Sequence, residues 1–237
     1  MHYAILAAGE GSRLGSVSAK PLVTINGKTL SQRMLDIIAQ RNDVQSVTII
    51  TNSEKPEIEA HLRTLKYPFE LNIISAHTPS AAHSLAEVVR SIPRNEKFVG
   101  LTVDTVFVTK EFHDYLDAFA AMEDHDVLMG VTRFVDDEKP LYVEVAPDMR
   151  INAFGDFPTE AAEHVSAGIY GLGPAARDVI DLSMAIGVNG LREFQRALLL
   201  RNLDVRAHEM GKVFDVDRPH DLVEAREFIL EQEQAAE

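Results

Sequence analysis

Short apolar runs alternate with helix-like segments through the first half of the chain, the pattern left when crossover helices join parallel strands. It predicts strands at Tyr3–Ala7, Ser46–Thr51, Leu71–Ser75 and Phe98–Val103. Helices are predicted between and after them, near Ser31–Arg41, Lys55–Leu65, Ala81–Ser91 and Lys110–Met122. In the first of these, Leu30, Met34, Ile37 and Ile38 recur at helical spacing, so one stripe covers a sheet face.

After Asp126 the texture changes. Val127–Phe134, Leu141–Val145, Arg150–Phe154 and Val165–Leu172 are β-like segments separated by short polar turns, a spacing that suits antiparallel or mixed sheet. Two helices follow at Pro174–Met184 and Leu191–Arg201, then a strand at Asp204–Glu209 and a terminal helix from Pro219. The class is α/β with a mixed, mostly parallel sheet. No repeat, low-complexity tract or flexible linker divides the chain, so residues 1–237 read as one continuous domain with halves at 1–125 and 126–237.

At 237 residues and 46% hydrophobic content the chain supplies a sizeable core. Its net charge of −14 opposes broad contact with nucleic acid, which needs clustered Lys and Arg. The charge reverses locally: from Met1 to Leu35 the chain holds Arg13, Lys20, Lys28 and Arg33 against the single acid Glu10. A basic island of this kind suits a small anionic ligand. The absence of cysteine excludes thiol nucleophiles, disulfides and thiolate metal sites. The N-terminus reaches glycine too soon for a signal peptide, and no run approaches the roughly 18 apolar residues of a membrane span. A soluble cytoplasmic protein, with no membrane partner, is the expectation.

Directly after the first predicted strand comes Leu6-Ala7-Ala8-Gly9-Glu10-Gly11-Ser12-Arg13-Leu14-Gly15. Ligands of open α/β sheets gather at such strand ends. Gly9 and Gly11 permit positive φ and close approach of backbone N–H groups to an oxyanion, and Arg13 adds a fork of donors suited to phosphate. The loop is neither of the two common phosphate loops. A dinucleotide fingerprint needs a third glycine where Leu14 stands, and a Walker A loop needs Ser or Thr after its lysine, where Pro21 follows Lys20.

Leu6-Ala-Ala-Gly-x-Gly-Ser-Arg-Leu, six further residues ending at Lys20, and then Pro21-Leu22 closely resemble the signature of the sugar-phosphate nucleotidyltransferase family. The resemblance implies a three-layer α/β/α, Rossmann-like (GT-A-like) fold. It makes residues 1–125 the nucleotide-binding half and 126–237 the acceptor half. It places Arg13 beside the departing pyrophosphate, Lys20 near the reacting phosphate, and Leu6, Ala7, Ala8, Gly9, Gly11 and Ser12 around the nucleotide.

Phosphoryl chemistry of this kind calls for a hard cation, Mg2+, held by oxygen ligands. Asp104 ends the apolar run Phe98–Val103, where the family has a metal-binding Asp. A second acid is expected in Phe214-Asp215-Val216-Asp217-Arg218-Pro219, where Asp217 and Asp215 are both candidates. One of the two is expected to bind metal. Thr78, Ser80 and Ser84 lie where the family reads the base, although hydroxyls beside a helix start are also caps.

In the second half, Phe154-Gly-Asp156-Phe157-Pro158 stands where the family often has Glu-Lys-Pro, with Phe157 in place of the lysine. Val165-Ser166-Ala167-Gly168-Ile169-Tyr170 is similar to an Asn-x-Gly-x-Tyr strand, with Ser166 at the asparagine. Glu144, Asp156, Ser166 and Gly168 are therefore the expected acceptor contacts. The implied reaction joins an NTP to a phosphorylated small molecule, a sugar 1-phosphate in the first instance, and releases pyrophosphate. The alternatives are a cytidylyltransferase acting on a non-sugar phosphate, a molybdopterin-type guanylyltransferase, and a nucleotide-sensing subunit without activity. Homo-oligomerisation stays open.

Overall fold

A computed structural model of the chain describes residues 1–9, 19–123, 127–135 and 139–235. Its centre is β1 (His2–Ala7), buried along its whole length. A strand covered on both faces reads as a continuous apolar run, which is what Tyr3–Ala7 supplies. It pairs in parallel with β4 (Ser46–Thr51) on one side and β6 (Phe98–Thr102) on the other. β5 (Glu70–Ser75) extends the sheet beyond β4, again in parallel.

On the other flank β11 (His164–Leu172) runs antiparallel to β6. β8 (Val127–Thr132) runs antiparallel to β11, and β12 (Val205–Met210) runs parallel to β8. β9 (Tyr142–Val145) and β10 (Ile151–Gly155) form an antiparallel pair joined to the start of β11. Mixed and mostly parallel, the sheet matches the expectation.

Side-chain alternation along β1 divides the core into two layers. Ala4 and Leu6 face a cluster with Leu85 and Val88 of α3 (Ala81–Val89), Val179 of α5 (Pro174–Ala185) and Phe194 of α6 (Leu191–Leu200). Tyr3, Ile5 and Ala7 face the opposite cluster, with Met34 and Leu35 of α1 (Leu30–Ile38), Leu62 of α2 (Pro56–Thr64) and Phe112 of α4 (Thr109–Ala121). Helices thus cover both faces, giving three layers. A third, smaller cluster beneath α7 (Pro219–Ala235) gathers Val23, Ile25, Val106, Phe214 and Ile229.

The predicted elements differ from the observed ones mainly at their ends. α1 stops at Ile38 rather than Arg41 because Gln40 and Arg41 donate to carbonyls three residues back, tightening the last turn. Two small antiparallel pairs were not anticipated. β2 (Thr24–Ile25) pairs with β3 (Lys28–Thr29) across Asn26 and Gly27, whose φ values of 49° and 80° suit a two-residue hairpin turn. β7 (Thr105–Val106) pairs with β13 (Phe214–Asp215), bringing the two acid-bearing segments together.

Candidate active site

β1 and β6 end side by side, and the chain leaving them forms the floor of a cavity of about 460 Å3. Two backbone hydrogen bonds fix this floor: Val103 N–H to the Leu6 carbonyl at 3.1 Å, and Val216 N–H to the Asp104 carbonyl at 3.0 Å. Leu6, Ala7, Ala8 and Gly9 line one wall; Thr78, Ser80 and Ser84 line another; Lys20, Asp104 and Asp217 line the third. Ten of the expected residues therefore share one cavity. Gly11, Ser12 and Arg13 lie outside the described residues.

Lys20 opens a short 3-10 turn, Lys20–Leu22. The hydroxyl of Ser31, wholly buried, donates to the Pro21 carbonyl at 2.8 Å and ties this turn to the start of α1. From there the Lys20 ammonium reaches Asp104 Oδ2 at 2.5 Å and also hydrogen-bonds Asp217 Oδ1. Burial works against the lysine charge, but the fields and hydrogen bonds of Asp104 and Asp217 outweigh it and hold the ammonium above its ordinary range. It is cationic at any physiological pH.

Asp217 owes its position to Asp221 in the first turn of α7. The Asp221 carboxylate, almost fully buried, accepts from Asp217 N–H at 2.9 Å and Arg218 N–H at 2.7 Å. Those bonds turn the chain as it leaves β13. Asp215 is held differently, accepting from the Thr105 hydroxyl at 2.8 Å. One side of Asp215 is open to solvent, yet protein encloses the rest. Burial pushes its carboxyl up to about 7; Asp104 and, more weakly, Asp217 add to the rise, against the Thr105 hydrogen bond and Lys20.

The hydroxyl residues divide by role. Ser80 is the N-cap of α3: its oxygen accepts from His83 N–H and also meets His83 Nδ1 at 2.9 Å. Thr78 and Ser84 hydrogen-bond each other at 2.6 Å across the cavity wall. Thr102, Val103, Pro79 and Ala81, which sequence reasoning did not single out, also line the cavity. Thr102 had a detectable signal, since it is the last residue of the strand beside β1.

The expected acceptor residues lie outside the lining of this cavity among the described residues. Gly168 comes nearest. Its φ of +70° sits in an irregular stretch of β11 between Ser166 and Tyr170, and a Cβ there would lie 2.8 Å from Thr102 Oγ1 and 2.9 Å from Thr105 Oγ1. Those hydroxyls hydrogen-bond each other. Ser166 donates to Gln195 of α6 at 3.1 Å. Glu144 accepts from Thr159 at 2.8 Å, and Asp156 is bridged by Arg196 at 2.6 Å and Arg192 at 3.3 Å. Phe157 projects into solvent, 79% exposed.

A cavity at the carboxyl ends of central parallel strands is where open α/β sheets bind their ligands, and here paired acids and a lysine stand on its wall. The chain belongs to the family described as the MobA-like NTP transferase domain, whose model matches residues 3–162. Two solved structures share the fold. The inositol-1-phosphate CTP transferase from T. maritima superposes with a TM-score of 0.75 at 20% identity, over 95% of this chain and 94% of that one. A CMP:2-keto-3-deoxy-manno-octonic acid synthetase complexed with CTP gives a TM-score of 0.73 at 18% identity, over 98% of this chain and 100% of that one.

Proposed function

We propose that this chain transfers a cytidylyl group from CTP to a small phosphorylated polyol or sugar, releasing pyrophosphate. The observation that carries the reading is the convergence of Asp104 and Asp217 on Lys20 beside the Leu6–Gly9 strand end. CTP is preferred over GTP because both structural neighbours named above are CTP-using proteins.

The donor set fits a magnesium ion. Two carboxylate oxygens already meet at one cation, the Lys20 ammonium, and Mg2+ ordinarily takes one or two carboxylates with water and substrate phosphates for the rest. Asp104 and Asp217 would hold it, and bound there it would offset triphosphate charge. Asp215, turned to Thr105, stands behind this pair.

The remaining chemistry is positioning and charge. Leu6 to Gly9 receive the nucleotide, with Thr78 and Ser84 offering hydroxyls to the base. The Lys20 ammonium stabilises charge developing on the α-phosphate as the acceptor phosphate attacks it. No protein base is required, because a phosphate oxygen is anionic near neutral pH. On this reading Arg13 completes the triphosphate contacts, and Ser166, Gly168, Glu144 and Asp156 lie on the acceptor side.

The test is pyrophosphate release across CTP, GTP, UTP and ATP, each with inositol 1-phosphate, glucose 1-phosphate or glycerol 3-phosphate and Mg2+. Turnover with CTP and one such acceptor is the expected outcome, reduced at least about 100-fold in Lys20→Ala. Turnover only with GTP would overturn the choice of base. Tight nucleotide binding without turnover on any acceptor would favour a sensor.

A further inference from the structure

The basic island at the start of the chain is only half used by the site above. Its other two members, Lys28 and Arg33, line a separate cavity of about 730 Å3 between α1, the segment from β7 into α4, and α7. We propose that this second cavity binds a small organic anion with an apolar body, and that its occupancy is felt at the active site through β7.

The shape and chemistry favour such a ligand. The volume is within the range of small-molecule pockets and exceeds that of the cavity beside β1. Met34, Ile37, Phe107 and Ile229 give it an apolar floor. Among the described residues three cations, Lys28, Arg33 and Lys110, and one acid, Asp36, stand in its wall. In a protein of net charge −14 this balance is a local reversal.

The lysine heads are half or more exposed, and their ion pairs with Asp36 and Asp114 are of the surface kind that a ligand anion readily replaces. Gln232 adds a donor. Its side-chain nitrogen is buried at this wall and has no hydrogen-bond partner among the described residues. A buried donor left unspent fits a wall completed by an acceptor atom.

The site belongs to an effector rather than a substrate, because neither Lys20 nor Asp104 nor Asp217 lines it. Thr105 and Val106 do. Those two residues are β7, which follows Asp104 directly and pairs with β13, and the Thr105 hydroxyl holds Asp215. A ligand bearing on Val106 and Phe107 therefore acts on the strand that positions the acids. The coupling is through a shared element with contacts on both sides.

The probe is 1-anilinonaphthalene-8-sulfonate, an apolar body with one anionic group, titrated into the full chain saturated with CTP and Mg2+. One saturable fluorescent site is expected. Its affinity should fall about tenfold in the double variant Lys28→Glu, Lys110→Glu, two exposed positions whose change leaves the core intact. Ile37→Trp, which fills the floor, should abolish binding, with folding checked by circular dichroism. Equal binding by wild type and the lysine variant would overturn the site.

Turnover and nucleotide binding supply the second arm. Probe occupancy should change the KM for CTP in the wild type and not in the lysine variant. If the chain shows no turnover, CTP affinity measured by calorimetry takes its place, so failure of the proposed function leaves this inference testable. Binding without any change in KM or affinity would overturn the effector role. A shift of sedimentation coefficient in the lysine variant, without altered probe binding, would mark the cavity as an interface between copies and overturn it as well.

Discussion

Gly168→Ala tests how tightly β11 is locked to the acid-bearing segments. Two costs follow from the geometry. An alanine at φ +70° enters the left-handed region, worth about 1–2 kcal/mol. Its Cβ also arrives at 2.8 and 2.9 Å from the Thr102 and Thr105 hydroxyl oxygens, closer than real Cβ contacts allow. Both hydroxyls must shift, and Thr105 is restrained by its hydrogen bond to Asp215. The sum is about 2–4 kcal/mol of lost stability. Removing the Thr102 hydroxyl opens part of the space. In a Thr102→Ala background the same glycine change should therefore cost about 1 kcal/mol less. Urea unfolding of the four proteins of this cycle measures the coupling. Strict additivity would refute the argument that the overlap with Thr102, rather than backbone strain alone, sets the cost.

Three further outcomes follow from other contacts. Asp221→Ala leaves two N–H donors without their charged acceptor, so stability should fall by about 3 kcal/mol and the Mg2+ requirement for turnover should rise as Asp217 loses its anchor; urea unfolding and a Mg2+ titration check both. Arg192→Ala, which frees one side of Asp156, should raise the KM for the acceptor several-fold and leave that for CTP unchanged; equal effects on both would place Arg192 elsewhere. Burial holds the His208 pKa below its ordinary value, against the weaker pull of Asp114 and Glu111. The unfolded chain then takes up the proton first, so this contribution is complete above about pH 6.5 and is lost as pH falls through the lower folded value. The fall in urea midpoint between pH 7 and pH 5 should be shallower in His208→Gln.

Much of the fold is legible because burial leaves a direct mark on composition. A central parallel strand such as β1 must be apolar throughout, and helices such as α1 must show one apolar stripe, so both stand out. Two-residue strands leave no such mark. β7 and β13 are held by partners 110 positions apart, and nothing local announces the pairing. The same gap affects the acids. Residues two apart on a strand share a face, but β13 ends at Asp215 and Asp221 captures the backbone beyond it, so the placement of Asp217 is set by a contact that no strand pattern announces. Both carboxylates end near Asp104. Lys20 was legible through the loop signature that ends Lys20-Pro21-Leu22 and Asp104 as an acid at a strand end, whereas their ion pair depends on where Ser31 fastens the turn.

The long reach of the Lys20 contacts bears on how the chain acquires its site during synthesis. Asp104 is 84 positions from Lys20, and Asp217 is 197 positions away. The four parallel strands β1, β4, β5 and β6 are all present once Thr102 has left the ribosome, so that portion of the sheet has its partners early. Asp217 arrives more than a hundred residues later. Until then Lys20 faces one acid rather than two, and β7 has no strand beside it. Contacts this distant in sequence form late in folding. Assembly of the paired acids is therefore a closing event, and a nascent chain bearing the first half carries the Leu6–Gly9 strand end, Lys20 and Asp104 without Asp217.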